Sequence, residues 1–98
     1  MIANQHNTHD GKKIVSVCDS ELMGQIFEDN NLQLDLTSNF YKGKELDEKS
    51  IFEMFKGCYL AIFIGNNSVK FGIKKKIVDK SKIIKIKDIP FAQVMFLI

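Results

Sequence analysis

Ninety-eight residues with 45% apolar content fit one hydrophobic core and leave no room for two. The two cysteines are too few for the disulfide framework of a small secreted domain and lack any CxxC spacing, so Cys18 and Cys58 are expected as reduced, core-facing thiols, with no metal site and no cofactor. All 14 basic side chains are lysines, which excludes arginine-dependent phosphoryl transfer, and the net charge of +2 conceals a split: −4 over residues 1–65 and +6 over residues 66–98.

The N-terminus is polar and holds His6 and His9, so it does not read as a signal peptide. The apolar run Tyr59–Ile64 is too short to cross a bilayer. A soluble, cytoplasmic protein without membrane contact is expected. Asp10-Gly11 is a two-residue turn signal that would pair residues 2–8 with the β-branched run 13–18 in an N-terminal β-hairpin. Asp19 and Ser20 are candidate N-caps for one helical turn ending at Gly24. Leu32, Leu34 and Leu36 alternate with polar residues and predict a half-buried strand.

Phe40 to Gly43 reads as a loop bearing two aromatics. Asp47 offers a cap for a helix over 47–56, whose stripe is Ile51, Met54 and Phe55, with Gly57 at its end. The run 59–64 is apolar throughout and predicts a strand covered on both faces. A second helix over about 69–76 carries Val69, Ile73 and Ile77. A short strand over 83–86, a corner at Asp88-Ile89-Pro90 and a last strand over 92–98 complete the chain. The predicted class is α+β: a single compact domain spanning 1–98, with two or three short helices on a mixed sheet.

Candidate chemistry concentrates in the basic third. Gly65, Asn66, Asn67 and Ser68 open the second helix, where free N–H groups and the dipole suit an anion, although no phosphate-loop or dinucleotide motif is present and Asn and Ser also cap helices ordinarily. Lys70, Lys74, Lys75 and Lys76 lie on that helix, and Lys85 and Lys87 alternate outward on the next strand. Together they are a candidate basic stripe for RNA phosphates, weighed against an ordinary solvated face. Phe71, within the stripe, is expected to face the core. Gln93, flanked by apolar residues, is expected to be a buried amide tied to backbone or lining a pocket near Gly65–Ser68.

Several short stretches, in order, resemble an archaeal family known as domain of unknown function 424. They are Val17-Cys18-Asp19, Glu21-Leu22-Met23-Gly24, Phe40-Tyr41 with Gly43, Ala61 with Ile64-Gly65 and Val69, and Pro90 followed by Ala92-Gln93. The resemblance implies a compact archaeal cytoplasmic domain and brings no established reaction. The family pattern Pro-His-Ala-Gln is here Pro90-Phe91-Ala92-Gln93, so histidine chemistry is missing at that place.

The leading functional expectation is a non-enzymatic binding module acting on RNA or a translation-related ribonucleoprotein. The alternatives are a protein-interaction adaptor using the apolar strand 92–98 as an edge, and an enzyme binding a small anion at Gly65–Ser68.

Overall fold

The computed structural model describes residues 1–96. Its strands are β1 Ile2–Asn7, β2 Lys13–Cys18, β3 Ile26–Asp29, β4 Leu32–Asp35, β5 Lys44–Glu45, β6 Cys58–Ile64, β7 Ile84–Ile86 and β8 Ile89–Met95; its helices are α1 Glu48–Glu53 and α2 Asn66–Lys74. Three 3-10 turns lie at Ser20–Leu22, Asn39–Tyr41 and Lys80–Lys82. The class is α+β, as the patterning implies.

Six strands form one mixed sheet in the order β5-β1-β2-β6-β8-β7. Only β2 and β6 run parallel; the other neighbours are antiparallel. The central position of β6 explains its unbroken apolar sequence. Ala61 and Phe63 join the core beneath the helices with Val15, Val17, Ile51, Val69 and Phe71. Ile62 and Ile64 face the opposite way, into a second core with Cys18, Leu34, Leu36 and Ile86. That second core is roofed by β3 and β4, a separate two-stranded hairpin.

The N-terminal hairpin forms, but its turn is longer than the Asp-Gly signal suggested. Thr8 N–H donates to Lys12 C=O and Gly11 N–H to Thr8 C=O, with Gly11 at φ 82°. This is a three-residue connection closed by a left-handed glycine rather than a two-residue turn. The first helix is shorter than expected, and Asp47 caps it by accepting from Ser50 N–H at 2.7 Å.

Helix α2 begins at Asn66, three residues before the expected Val69, and ends at Lys74. Its exit is a Schellman motif: Ile77 N–H bonds Gly72 C=O and Lys76 N–H bonds Ile73 C=O, each at 2.9 Å. Lys76 takes the left-handed position, φ 61°, that glycine usually fills.

The turn between β7 and β8 also differs from the expected corner. Ile86 pairs with Ile89, and Lys87 and Asp88 both have positive φ, 54° and 66°. This makes a two-residue hairpin of the type that favours Asn-Gly. Pro90 therefore lies inside β8, opposite Lys85. Its carbonyl accepts from Gly65 N–H at 2.9 Å, toward β6. A strand residue's N–H and C=O share a side, so the missing proline N–H removes no bond to β7.

The last strand is covered on its outer side only at its start, so part of the edge named in the adaptor reading stays open. β6 pairs with it over Phe91–Met95 and β7 covers Ile89–Phe91. Beyond Phe91, the side of β8 away from β6 pairs with no strand among the described residues. Leu97 and Ile98, the expected end of the strand, lie outside the described residues. No helix among the described residues is long and apolar enough to cross a membrane.

Candidate functional site

The start of α2 is where three chain segments meet. Asp19, at the end of β2, donates its N–H to Ile64 C=O at 3.0 Å. Its carboxylate then accepts from Asn67 N–H at 3.0 Å, Ser68 N–H at 2.7 Å and the Ser68 hydroxyl at 2.8 Å. Asp19 and Ser68 are both buried. The Asn67 and Ser68 amides, expected to be open to an anion, thus already hold the chain's own carboxylate. Sequence proximity suggested that Asp19 would cap the turn beside it, yet that turn receives no side-chain bond from Asp19. A remote aspartate wins because parallel pairing of β2 with β6 places Cys18 opposite Ile64 and delivers the next residue to the helix start.

A groove of about 550 Å³ runs beside α2, between the helix and the β7–β8 hairpin. Val69, Ile73, Ile83 and Pro90 form its apolar floor; Lys70, Lys74, Lys80 and Lys85 surround it with Asn66, and no carboxylate lines it among the described residues. Helical spacing aligns Lys70 and Lys74 on one side. The 3-10 turn capped by Asp79, which accepts from Ser81 N–H at 3.0 Å, supplies Lys80 on the other. Lys74 also contacts Glu48 at 2.7 Å. Lys70, Lys80 and Lys85 make no ion pair among the described residues.

Of the candidate stripe, Lys70, Lys74 and Lys85 converge here. Lys75 instead lies over the Phe52 ring, 5.1 Å from its centroid, and Lys87 sits in the hairpin turn. Asn67 belongs to a smaller cleft on the α1 side of the helix, shared with Glu48. Phe71 is buried in the core. Lys80 lies outside the stripe that the sequence suggests; the Asp79–Ser81 spacing is the local signal for its turn.

The opposite face of the sheet carries a second, shallow and open cavity of about 550 Å³ beside the β3–β4 hairpin. Phe40, Tyr41 and Gln93 line it with Gln33, Asp35, Ser38 and Ile62. Gln93 is exposed, not buried as its apolar neighbours suggested, and the cavity it lines does not include Gly65. The Phe40 ring stacks on His6 at 4.5 Å, and its carbonyl accepts from Asn4 Nδ2 at 2.8 Å and contacts His6 Nε2 at 2.7 Å. Gly43 lets this loop press on β1: a Cβ there would lie 2.1 Å from Ala3 O. Gly24 ties the hairpin's base to the 3-10 turn before it, donating to Leu36 C=O at 3.0 Å.

Both thiols are buried and free. Burial, reinforced by the nearby Asp19 and Glu21 charges, pushes Cys18 up to about 12. Burial also raises Cys58 and the Tyr41 phenol above their ordinary ranges. At neutral pH all three are protonated, so neither sulfur is poised as a nucleophile.

A family model described as "Protein of unknown function (DUF424)" matches residues 6–97. The chain belongs to that family. No curated protein matches the sequence. Among solved structures, an uncharacterized conserved protein from Methanopyrus kandleri is similar with a TM-score of 0.79 and 20% identity, over 95% of this chain and 88% of that one. At that identity the likeness is one of fold. In this DUF424 chain two structural groups hold several of the residues that carried the resemblance, while Val17, Ala61, Val69 and Ala92 lie in the core beneath the helices. Asp19, Gly65 and Pro90 frame the start of α2. Phe40, Tyr41 and Gln93 line the hairpin-side cavity, next to the core that holds Cys18.

Proposed function

We propose that this protein is a non-enzymatic binding module that holds single-stranded RNA by its phosphates in the groove between α2 and the β7–β8 hairpin. The observation that supports the reading is four lysines around an apolar floor, with no carboxylate in the lining among the described residues. Phosphate oxygens are met by point charges of this kind in a sequence-independent way, and the apolar floor accommodates sugar and base surface. No aromatic side chain lines the groove, so affinity there rests on charge.

The test is fluorescence anisotropy with ten-nucleotide RNA over a series of salt concentrations. Binding is expected at low salt and should weaken steeply as salt rises. The variant K70Q/K80Q/K85Q is expected to lower affinity and reduce the slope of log K against log salt by roughly 0.7 for each phosphate no longer neutralised. These lysines are exposed, so the fold should survive the change. Absence of RNA binding at low salt, or an unchanged slope in the variant, would refute the reading.

A further inference from the structure

The two large concavities have opposite chemistry. The groove beside α2 is ringed by lysines, whereas the hairpin-side cavity contains none and carries Asp35. A phosphate is unwelcome in the second. Its polar groups are the amides of Gln33 and Gln93, the Asp35 carboxylate and the hydroxyls of Ser38 and Tyr41, set beside the aromatic rings of Phe40 and Tyr41 and the apolar side chain of Ile62. Amides and a carboxylate next to aromatic surface suit a flat, uncharged heterocycle with hydrogen-bonding edges.

The hydrogen-bond pattern narrows the ligand. One Asp35 oxygen accepts from Thr37 N–H and hydroxyl. These bonds keep the carboxyl below its ordinary range, hence ionised and acceptor-only at neutral pH. An ionised carboxylate favours an exocyclic amino group and disfavours a carbonyl oxygen in the same place. The amides of Gln33 and Gln93 each offer a donor and an acceptor, although Gln33 also donates to Glu28 at 2.9 Å.

The groove lining and a smaller hollow meet at adjacent residues of the chain, Ile83 and Ile84, at the β7 edge of the sheet. This hollow, of about 230 Å³, is lined by Lys82, Ile84, Phe91 and Gln93. Gln93 is shared with the hairpin-side cavity, and Lys82 and Ile84 flank Ile83 of the groove floor. A strand leaving the groove across this edge arrives at Gln93.

We infer that the cavity lined by Asp35, Tyr41 and Gln93 is a nucleobase site selective for bases with an exocyclic amino group, filled by one base of the strand whose phosphates lie in the lysine groove. The inference rests on the RNA reading for the source of the base. The same chemistry would admit a free nucleoside.

Ten-nucleotide oligocytidine and oligouridine separate these possibilities, because cytosine carries an amino group where uracil carries a carbonyl. Anisotropy should show oligocytidine bound about tenfold more tightly than oligouridine. D35N keeps the Thr37 acceptor and should abolish the preference while leaving the salt slope unchanged; Q93A should diminish it. K70Q/K80Q/K85Q should weaken both oligomers alike and keep the preference. Equal, salt-sensitive binding of the two oligomers would overturn the base site and leave the groove reading intact. In parallel, cytidine and uridine are titrated against the 15N-labelled protein. Shifts at Asp35, Tyr41 and Gln93 with cytidine alone, without oligomer binding, would support the base site, assign it to free nucleosides and overturn the groove. No response to any of the four would overturn both.

Discussion

The Cα of Gly65 rests against the carboxylate of Asp19: a Cβ at residue 65 would lie 2.4 Å from Asp19 Cγ, and the residue's φ is 103°. One residue lacks a side chain so that another, buried and ionisable, can reach the amides of a helix that starts just beyond it. Asp19→Ala removes the acceptor for two amides and strands the buried Ser68 hydroxyl, a loss expected at about 2–3 kcal/mol. Gly65→Ala adds both the clash and an unfavourable φ, at about 2 kcal/mol or more. The double variant should cost less than the sum, because removing Asp19 makes room for the new methyl group. Urea denaturation of the three variants measures this; strict additivity would show that the contact does not couple the two positions.

Left-handed positions held by ordinary residues should be improvable. Lys76 at the end of α2 and Lys87-Asp88 in the β7–β8 turn all have positive φ. Lys76→Gly, and Lys87→Asn with Asp88→Gly, are each expected to stabilise the fold by about 0.5–1 kcal/mol. For a domain of this size that is a rise in Tm of roughly 4–8 °C per kcal/mol, read by thermal circular dichroism. An unchanged Tm in both variants would contradict it.

The thiols should make stability fall at alkaline pH. An unfolded cysteine titrates near 8.5, whereas Cys18 in the fold is pushed up to about 12. Below the unfolded value both states hold the proton and no pH dependence arises from it. Above it the unfolded chain releases a proton that the folded chain keeps, so stability declines as pH rises from about 8.5 toward 12, with a slope approaching about 1.4 kcal/mol per pH unit for this residue. Cys18→Ala should flatten that decline relative to the parent. Iodoacetamide at pH 8 should label both cysteines rapidly only in denaturant; rapid labelling of the native protein would contradict their burial.

Gln93 should be dispensable for folding. Its side chain is exposed and lines open cavities, so no buried amide is at stake. Gln93→Leu is expected to change unfolding free energy by less than about 0.5 kcal/mol. A large loss of stability would restore the structural role that its apolar surroundings in sequence suggested.

Local pattern determined much of this protein. The alternation of leucines over 32–36, the unbroken apolar run at 59–64 and the cap at Asp47 each report a preference set by neighbours in sequence, and each was legible for that reason. The lysine excess after residue 65 was equally plain. What pattern does not encode is which distant groups meet. Asp19 looked like a local cap and serves a helix 48 residues away because parallel pairing of β2 with β6 carries it there. Lys75 caps the helix that carries Lys70, yet of the two only Lys70 lines the groove, since a rotation of about 100° per residue puts positions five apart on different sides of the axis. Gln93 lies between apolar residues in the chain and still faces solvent, because strand alternation assigns its face while the reach of the β3–β4 roof decides whether that face is covered. Faces and periods are properties of a segment. Partners and enclosures arise only when segments from opposite ends of the chain are brought side by side.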